Sequence, residues 1–419
     1  RGHATFDAYG DCVYYPDNVS VAIGAGVVVL DVSDPSNPVK TDYLTARAMR
    51  SPGESLRVNR ERGLLVANYY AFPPPYTADG GIEPPEIMRA LAVYDVSEDC
   101  AHPRLLADVI LPTQAGHEGC FQPDGMVYYS SAGTITPIDL TDPANPREMT
   151  VPWLPADPLP AVFHGCSISD DGTRGYFADA ANNQMLIVDT SEVQALIPGA
   201  QMRVLGRFST PSELQQSAIA ITFDGAPHVL LFTEAKYPSK VCVPGQPNFG
   251  YPRIIDVGDE THPVEVAKIQ AEVVLSRNCS QVAADWAPQT RGADRGDAIN
   301  VGISAVFFGG YDSHYCNVDR PRDPTLLGCG QMGSGMRVYD LRDPHAPIEI
   351  AYYNTGTRSL DDPTLDWAWS PPVFRTDLGQ IWWSTFAEGF HAAKFRDGVM
   401  PLERDTPAIG TTIRSARGA

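Results

Sequence analysis

Apolar residues along the chain gather into short runs that end on Asp and give way to a small polar cluster, often containing Pro. Six such phrases occur: Val27-Val-Val-Leu-Asp31-Val-Ser-Asp-Pro35, Leu91-Ala-Val-Tyr-Asp95-Val-Ser, Ile135-Thr-Pro-Ile-Asp139-Leu-Thr-Asp-Pro143, Met185-Leu-Ile-Val-Asp189-Thr-Ser, Arg253-Ile-Ile-Asp256-Val-Gly-Asp and Met336-Arg-Val-Tyr-Asp340-Leu-Arg-Asp-Pro344. A continuous apolar run this short, bounded by turn formers, predicts a strand buried on both faces. Its return at intervals of tens of residues marks a repeat architecture.

The surroundings of each phrase recur as well. In the clearest unit His164-Gly-Cys-Ser-Ile-Ser predicts an inner strand, Asp170-Asp-Gly a turn, Arg174-Gly-Tyr-Phe-Ala a second strand, residues 185–189 a third and Arg203-Val-Leu-Gly-Arg-Phe a fourth. Matching inner strands are predicted to open near Gly53, Gly116, Gln216, Ser280 and Leu365; the last unit keeps a third strand, Phe390-His-Ala-Ala-Lys-Phe395, without the Asp. With Gly2-His-Ala-Thr-Phe6 opening the first unit, the count is seven. The expected fold is all-β, a seven-bladed β-propeller of four-stranded antiparallel blades forming a single domain over residues 1–419.

The segments Val27-Val-Val-Leu-Asp-Val-Ser-Asp-Pro-Ser-Asn-Pro-Val39, Ile135-Thr-Pro-Ile-Asp-Leu-Thr-Asp-Pro-Ala-Asn-Pro-Arg147 and Met336-Arg-Val-Tyr-Asp-Leu-Arg-Asp-Pro-His-Ala-Pro-Ile348 resemble those of the LVIVD-repeat family, β-propeller proteins of the bacterial surface and exterior. The resemblance covers nearly the whole chain and implies fold and export. It carries over no catalytic residue, because propellers host enzymes, binders and scaffolds alike.

Charge and cysteine usage narrow the setting. The formal net charge is −20, with Lys only at positions 40, 236, 240, 268 and 394, so phosphate backbones and anionic membranes are repelled and nucleic acid is not an expected partner. No apolar run approaches the roughly 18 residues of a membrane span. The sequence opens on a strand-like segment, and Arg1 is expected to be the end left by signal-peptide removal. The 8 cysteines are even in number, and the blade layout pairs Cys316 with Cys329, Cys242 with Cys279, Cys120 with Cys166 and Cys12 with Cys100. For Cys120 and Cys166, on adjacent inner strands, a buried pair of free thiols is the other reading. The expected location is secreted, periplasmic or at the cell surface.

Three long loops, residues 70–86, 236–251 and 311–335, are expected on the face that carries the blade-to-blade connections, and long loops on a rigid scaffold carry function. The residues that open the inner strands should point at the axis there. Aligned by the repeat they are His3, Glu54, His117, His164, Ser217, Gln281 and Asp366. His3, Glu54, His117, His164, Gln281 and Asp366 are the predicted metal ligands, for zinc, iron, manganese or copper, with calcium less suited. A polar funnel filled with water is the alternative use of the same ring. Glu234, Asp312, Glu388 and His391, assigned to the ends of second strands and to blade seven, are the candidate general acids and bases. Tyr69, Tyr70, Tyr76, Tyr311, Tyr315 and Trp367 form a candidate aromatic rim suited to a small-molecule or glycan ligand. His117-Glu-Gly-Cys lacks the second His and the helix of a zincin.

Two functions from different classes follow. One is a secreted metal-dependent enzyme with an axial His/carboxylate centre, its reaction of the oxidative-cleavage or glycan-lyase type, by analogy of geometry with propeller carotenoid oxygenases and oligogalacturonate lyases. The other is a non-catalytic surface module that binds a protein or glycan through the looped face.

Overall fold

The computed structural model describes residues 5–17, 26–70, 85–112, 116–132, 134–151, 153–154, 163–210, 213–235, 250–278, 311–354, 366–385 and 388–396. It is a seven-bladed β-propeller in which successive strands of each blade pair antiparallel. The inner strands are Asp7–Tyr9, Arg57–Asn59, Glu118–Phe121, Phe163–Ile168, Glu213–Phe223, Tyr315–Val318 and Val373–Arg375. Blade seven has three strands among the described residues, and blade four gains a short parallel strand, Trp153–Leu154, outside its fourth. No helix among the described residues is long and apolar enough to cross a membrane.

Each of the six repeat Asp residues ends the third strand of its blade. Its carboxylate accepts a hydrogen bond from the backbone N–H two residues on: Ser33, Ser97, Thr141, Ser191, Gly258 and Arg342 donate at 2.8–3.0 Å. This Asx turn satisfies the amide that the strand can no longer use and aims the chain into the fourth strand. In five blades the third and fourth strands also slip register between the two residues before the Asp, a bulge that sharpens the twist.

The third strands are largely apolar because blades pack on both of their faces. Val27, Val29, Leu91, Val93, Ile187 and Val188 are fully buried, and each contributes about 1.5–3 kcal/mol over an exposed position. Fourth strands lie at the rim and leave Val39, Leu105, Val264 and Ile348 exposed. The ring closes where Trp382 of blade seven joins the core of blade one, with Phe390 stacked on Phe6 and Arg375 paired to Asp11 at 2.9 Å.

Blade six departs from expectation. Residues 311–335 are not a loop between its second and third strands; they contain its inner strand, Tyr315–Val318, and its second strand, Leu326–Gly330. The inner strand therefore does not open at Ser280, and Asp312 precedes an inner strand instead of ending a second one. The segment was hidden because its Cys, Gly and Pro content resembles loop composition, whereas alternation in Tyr315-Cys-Asn-Val is enough to bury a strand between blades five and seven. The other two expected loops, and the opening residues His3 and Gln281, lie outside the described residues but for the ends of those loops.

Among the described residues three disulfides are present: Cys12–Cys100, Cys120–Cys166 and Cys316–Cys329, the last joining directly paired residues of neighbouring strands. Cys242 and Cys279 lie outside the described residues.

Candidate metal centre

Inner strands lead toward the axis, and bulges at their starts turn side chains inward. In blade four the register slips between Phe163 and Cys166, around His164, and in blade five between Gln215 and Ser217, around Gln216. Such bulges re-aim side chains next to sites. Between blades two and three, Glu54 forms an isolated parallel bridge with Glu118, its N–H donating to the His117 carbonyl at 3.0 Å. Glu54 and His117 are thus brought together by backbone pairing before any side chain interacts.

Their functional atoms converge. His117 Nε2 and His164 Nε2 lie 2.8 Å apart, and Glu54 Oε2 is 3.2 Å from the first and 3.4 Å from the second. All three groups offer ligand atoms within 4.8 Å of one another, the spacing of a metal-ligand set. The His164 Nδ1 lies 2.8 Å from the Gln216 carbonyl, so its N–H donates there and leaves Nε2 as the nitrogen with a lone pair. The Tyr70 ring packs on the His117 ring at 4.0 Å.

Two residues that sequence reasoning missed complete the centre. His314 Nε2 lies 3.2 Å from Glu54 Oε1, with Nδ1 3.0 Å from the Trp369 carbonyl. Glu118 lies beneath: Arg57 and Ser217 donate to its Oε1 at 3.1 and 3.0 Å, and the Tyr315 hydroxyl lies 2.9 Å from its Oε2 and 2.6 Å from Glu54 Oε2. Gly165 is required for this approach, since a Cβ there would overlap the Ser217 hydroxyl and the Glu118 carboxylate. A signal for His314 was present: His164-Gly-Cys166 and His314-Tyr-Cys316 share one His-x-Cys spacing at the same blade position.

Electrostatics follow from burial against charge. Burial alone would raise the Glu54 carboxyl, but His117, His314 and His164 around it hold it well below the usual carboxylate range. Burial would lower the His164 imidazole, yet its contact with Glu118 and the charges of Glu54, Glu118 and Glu234 raise it to about 9. His314 is raised in the same way, against its burial, by Glu54 and Glu234. Burial, then the Glu118 and Glu54 charges, push the Tyr315 phenol far up, so it remains a hydrogen-bond donor.

The remaining predicted residues fall elsewhere. Asp366 does not join the axial trio; it forms a second His/carboxylate cluster with Glu388 and His391 in blade seven. There the Thr385 hydroxyl lies 2.8 Å from both Asp366 Oδ2 and His391 Nε2, and the His391 ring stacks on Trp383. Glu234 ends the second strand of blade five, buried, 3.5 Å from His314 Nε2. Asp312 is buried and accepts from the Gly250 N–H, tying two segments together. Tyr315 and Trp367 are buried rather than rim residues; Trp367 stacks on Trp369.

An LVIVD-repeat family model matches residues 17–45, so the chain carries an LVIVD repeat, as its resemblance implied. Among solved structures the chain is similar to the β-propeller domain of Cps50 (Swd1) from Myceliophteria thermophila, at 8% identity and a TM-score of 0.54 over 94% of this chain and 97% of that one. It is also similar to Kuenenia stuttgartiensis hydrazine synthase, at 11% identity and 0.53 over 94% and 96% of the two chains. A functionally unknown protein from Desulfotomaculum acetoxidans matches at 10% identity and 0.50 over 83% and 84%. At these identities the likeness is one of fold. No curated protein matches the chain.

Proposed function

We propose that the protein is an exported, metal-dependent enzyme whose divalent transition ion sits on the propeller axis, held by His117, His164 and Glu54. The observation that carries this reading is the meeting of two imidazole Nε2 atoms, 2.8 Å apart, at one buried carboxylate oxygen. Charge is in keeping with it: Glu54, Glu118 and Glu234 are buried carboxylates, and among the described residues Arg57 is the guanidinium that pairs with Glu118, so a dication is electrostatically favoured there. Mixed nitrogen and oxygen donors suit zinc, iron, manganese or copper; calcium prefers oxygen alone.

Such an ion supplies Lewis acidity, or electron transfer if it is redox-active. The chain's own groups do the rest. Burial and the Glu54 charge push the Tyr70 phenol up to about 12, so against His117 it holds its proton as a donor to a bound small molecule or glycan. Oxidative cleavage and glycan-lyase chemistry are the two reaction types that this donor set suits.

Elemental analysis tests the metal. Protein purified without added metal should hold at least one equivalent of transition ion, and His117→Ala or His164→Ala should lose it with the blades still folded. No metal after incubation with zinc, iron, manganese and copper would replace the enzyme by a surface module binding protein or glycan. Export is tested by thiol titration of the denatured, unreduced protein: no free thiol is expected, and eight would end the proposal.

A further inference from the structure

The two oxygens of Glu54 face different partners. Oε2 meets His117 and His164, whereas Oε1 lies 3.2 Å from His314 Nε2, and that nitrogen lies 3.5 Å from Glu234 Oε1. We propose that the axis holds two divalent cations bridged by the Glu54 carboxylate, the first on His117 and His164 and the second on His314 and Glu234. This rests on the axial-metal reading above and extends it.

The second half is built as a ligand site is built. His314 and Glu234 are each 2% exposed, so both are closed off from bulk solvent. The His314 Nδ1–H donates to the Trp369 carbonyl and its ring stacks on Trp369, which fixes the ring and leaves Nε2 as the donor toward an ion. Beside it, the Gln216 amide nitrogen is 3.1 Å from His314 Nε2 and 3.3 Å from Glu54 Oε2. The Gln216 side-chain Oε1, in a residue 1% exposed, has no hydrogen-bond partner among the described residues. A buried amide whose nitrogen lies against the imidazole and the Glu54 carboxylate, and whose oxygen is in want of a partner, is accounted for by a cation that the oxygen coordinates. The two donor sets come from different blades and share only Glu54.

Two dications across one carboxylate can hold two substrate oxygens at once. Against three carboxylates and one guanidinium they leave the centre positive, which selects an anionic substrate, a carboxylate or a phosphate ester.

The test is a count. Chelator-stripped protein is incubated with excess Mn2+, desalted and measured by elemental analysis, with EPR of the bound ions. Two equivalents with an exchange-coupled spectrum are expected for the native chain. His314→Ala and the near-isosteric Glu234→Gln should each retain one equivalent with an uncoupled spectrum, and Glu54→Gln should lose both. A single equivalent in the native chain overturns the second cation and leaves the axial-metal reading standing. Two equivalents that survive His314→Ala and Glu234→Gln would put the second ion at the Asp366–His391 cluster, and also overturn it. No retained metal removes both readings. Circular dichroism identifies a variant that fails to fold, and Glu234→Gln, which changes no volume, then decides.

Discussion

Cys120 and Cys166 are joined by a disulfide across the inner strands of blades three and four, with Cα atoms 5.8 Å apart. The bridge lies three residues beyond His117 and two beyond His164, so it clamps the two strands that carry the paired imidazoles. Both sulfurs sit in the core between these blades, among Phe163, Phe177 and Leu186.

The clamp should matter to the metal as well as to the fold. Cys120→Ser with Cys166→Ser removes a cross-link typically worth about 2–4 kcal/mol. Thermal unfolding should shift down accordingly, and metal affinity should fall at least tenfold because the imidazoles are no longer held at one spacing. Unchanged affinity in a destabilised variant would mean that strand pairing alone orients His117 and His164.

Gly165 lets the Glu118 carboxylate approach the strand that bears His164. Gly165→Ala should destabilise the protein by about 1–3 kcal/mol through overpacking against Ser217 and Glu118. It should also lower metal content, whereas an alanine at Gly379, where a Cβ meets nothing within 4 Å, should leave the metal untouched despite its positive φ. Differential scanning calorimetry with elemental analysis separates the two effects.

Among the described residues Arg57 is the guanidinium that pairs with the buried carboxylates of the centre, 3.1 Å from Glu118. Arg57→Met should cost about 3 kcal/mol in the metal-free protein, because Glu118 is left buried without its partner. Added metal should recover part of that loss, and denaturant titrations with and without Mn2+ measure it. Equal losses in both conditions would exclude electrostatic coupling between Arg57 and the axis.

Acid should act first on the turns. The Ser97 hydroxyl and N–H, together with Arg104, hold the Asp95 carboxyl below its ordinary value. Partial burial pushes Asp189 up, but the Ser191 hydroxyl and N–H more than offset it. A carboxyl lowered in the folded state contributes stability that is present above its unfolded value of about 3.9 and is lost as pH falls through the folded value. Asp95→Asn with Asp189→Asn should therefore lower the urea midpoint at pH 7, where the carboxylates contribute, and flatten its decline below about pH 4, where the native chain loses the same contribution. A decline as steep as in the native chain would assign acid sensitivity to other carboxylates.

Much of this architecture is decided locally and is therefore visible in one dimension. An apolar run ending in Asp must be a strand buried on both faces followed by an Asx turn, whatever its neighbours are, and all six Asp residues make that turn. Repetition of the unit makes a closed ring of blades, and residues at matching offsets, Glu54, His117 and His164, come to one place because the ring is symmetric. The pairing of Cys120 with Cys166 followed from the same equivalence, and that of Cys12 with Cys100 from turns expected on one face of adjacent blades.

What the sequence by itself could not decide is where the repeat is broken. Blade six takes its inner strand from Tyr315–Val318, a choice set by which segment fills the gap between blades five and seven, and this brings His314 to the axis. Asp366 turns from the axis to His391 through Thr385, and Glu118 reaches the centre through the space that Gly165 leaves. These are outcomes of packing between residues up to 261 positions apart, such as Tyr315 on Glu54. Alternation and turn signals report only on neighbours in sequence, so the ring was legible from the chain, while the roster of groups that meet inside it belongs to the tertiary structure.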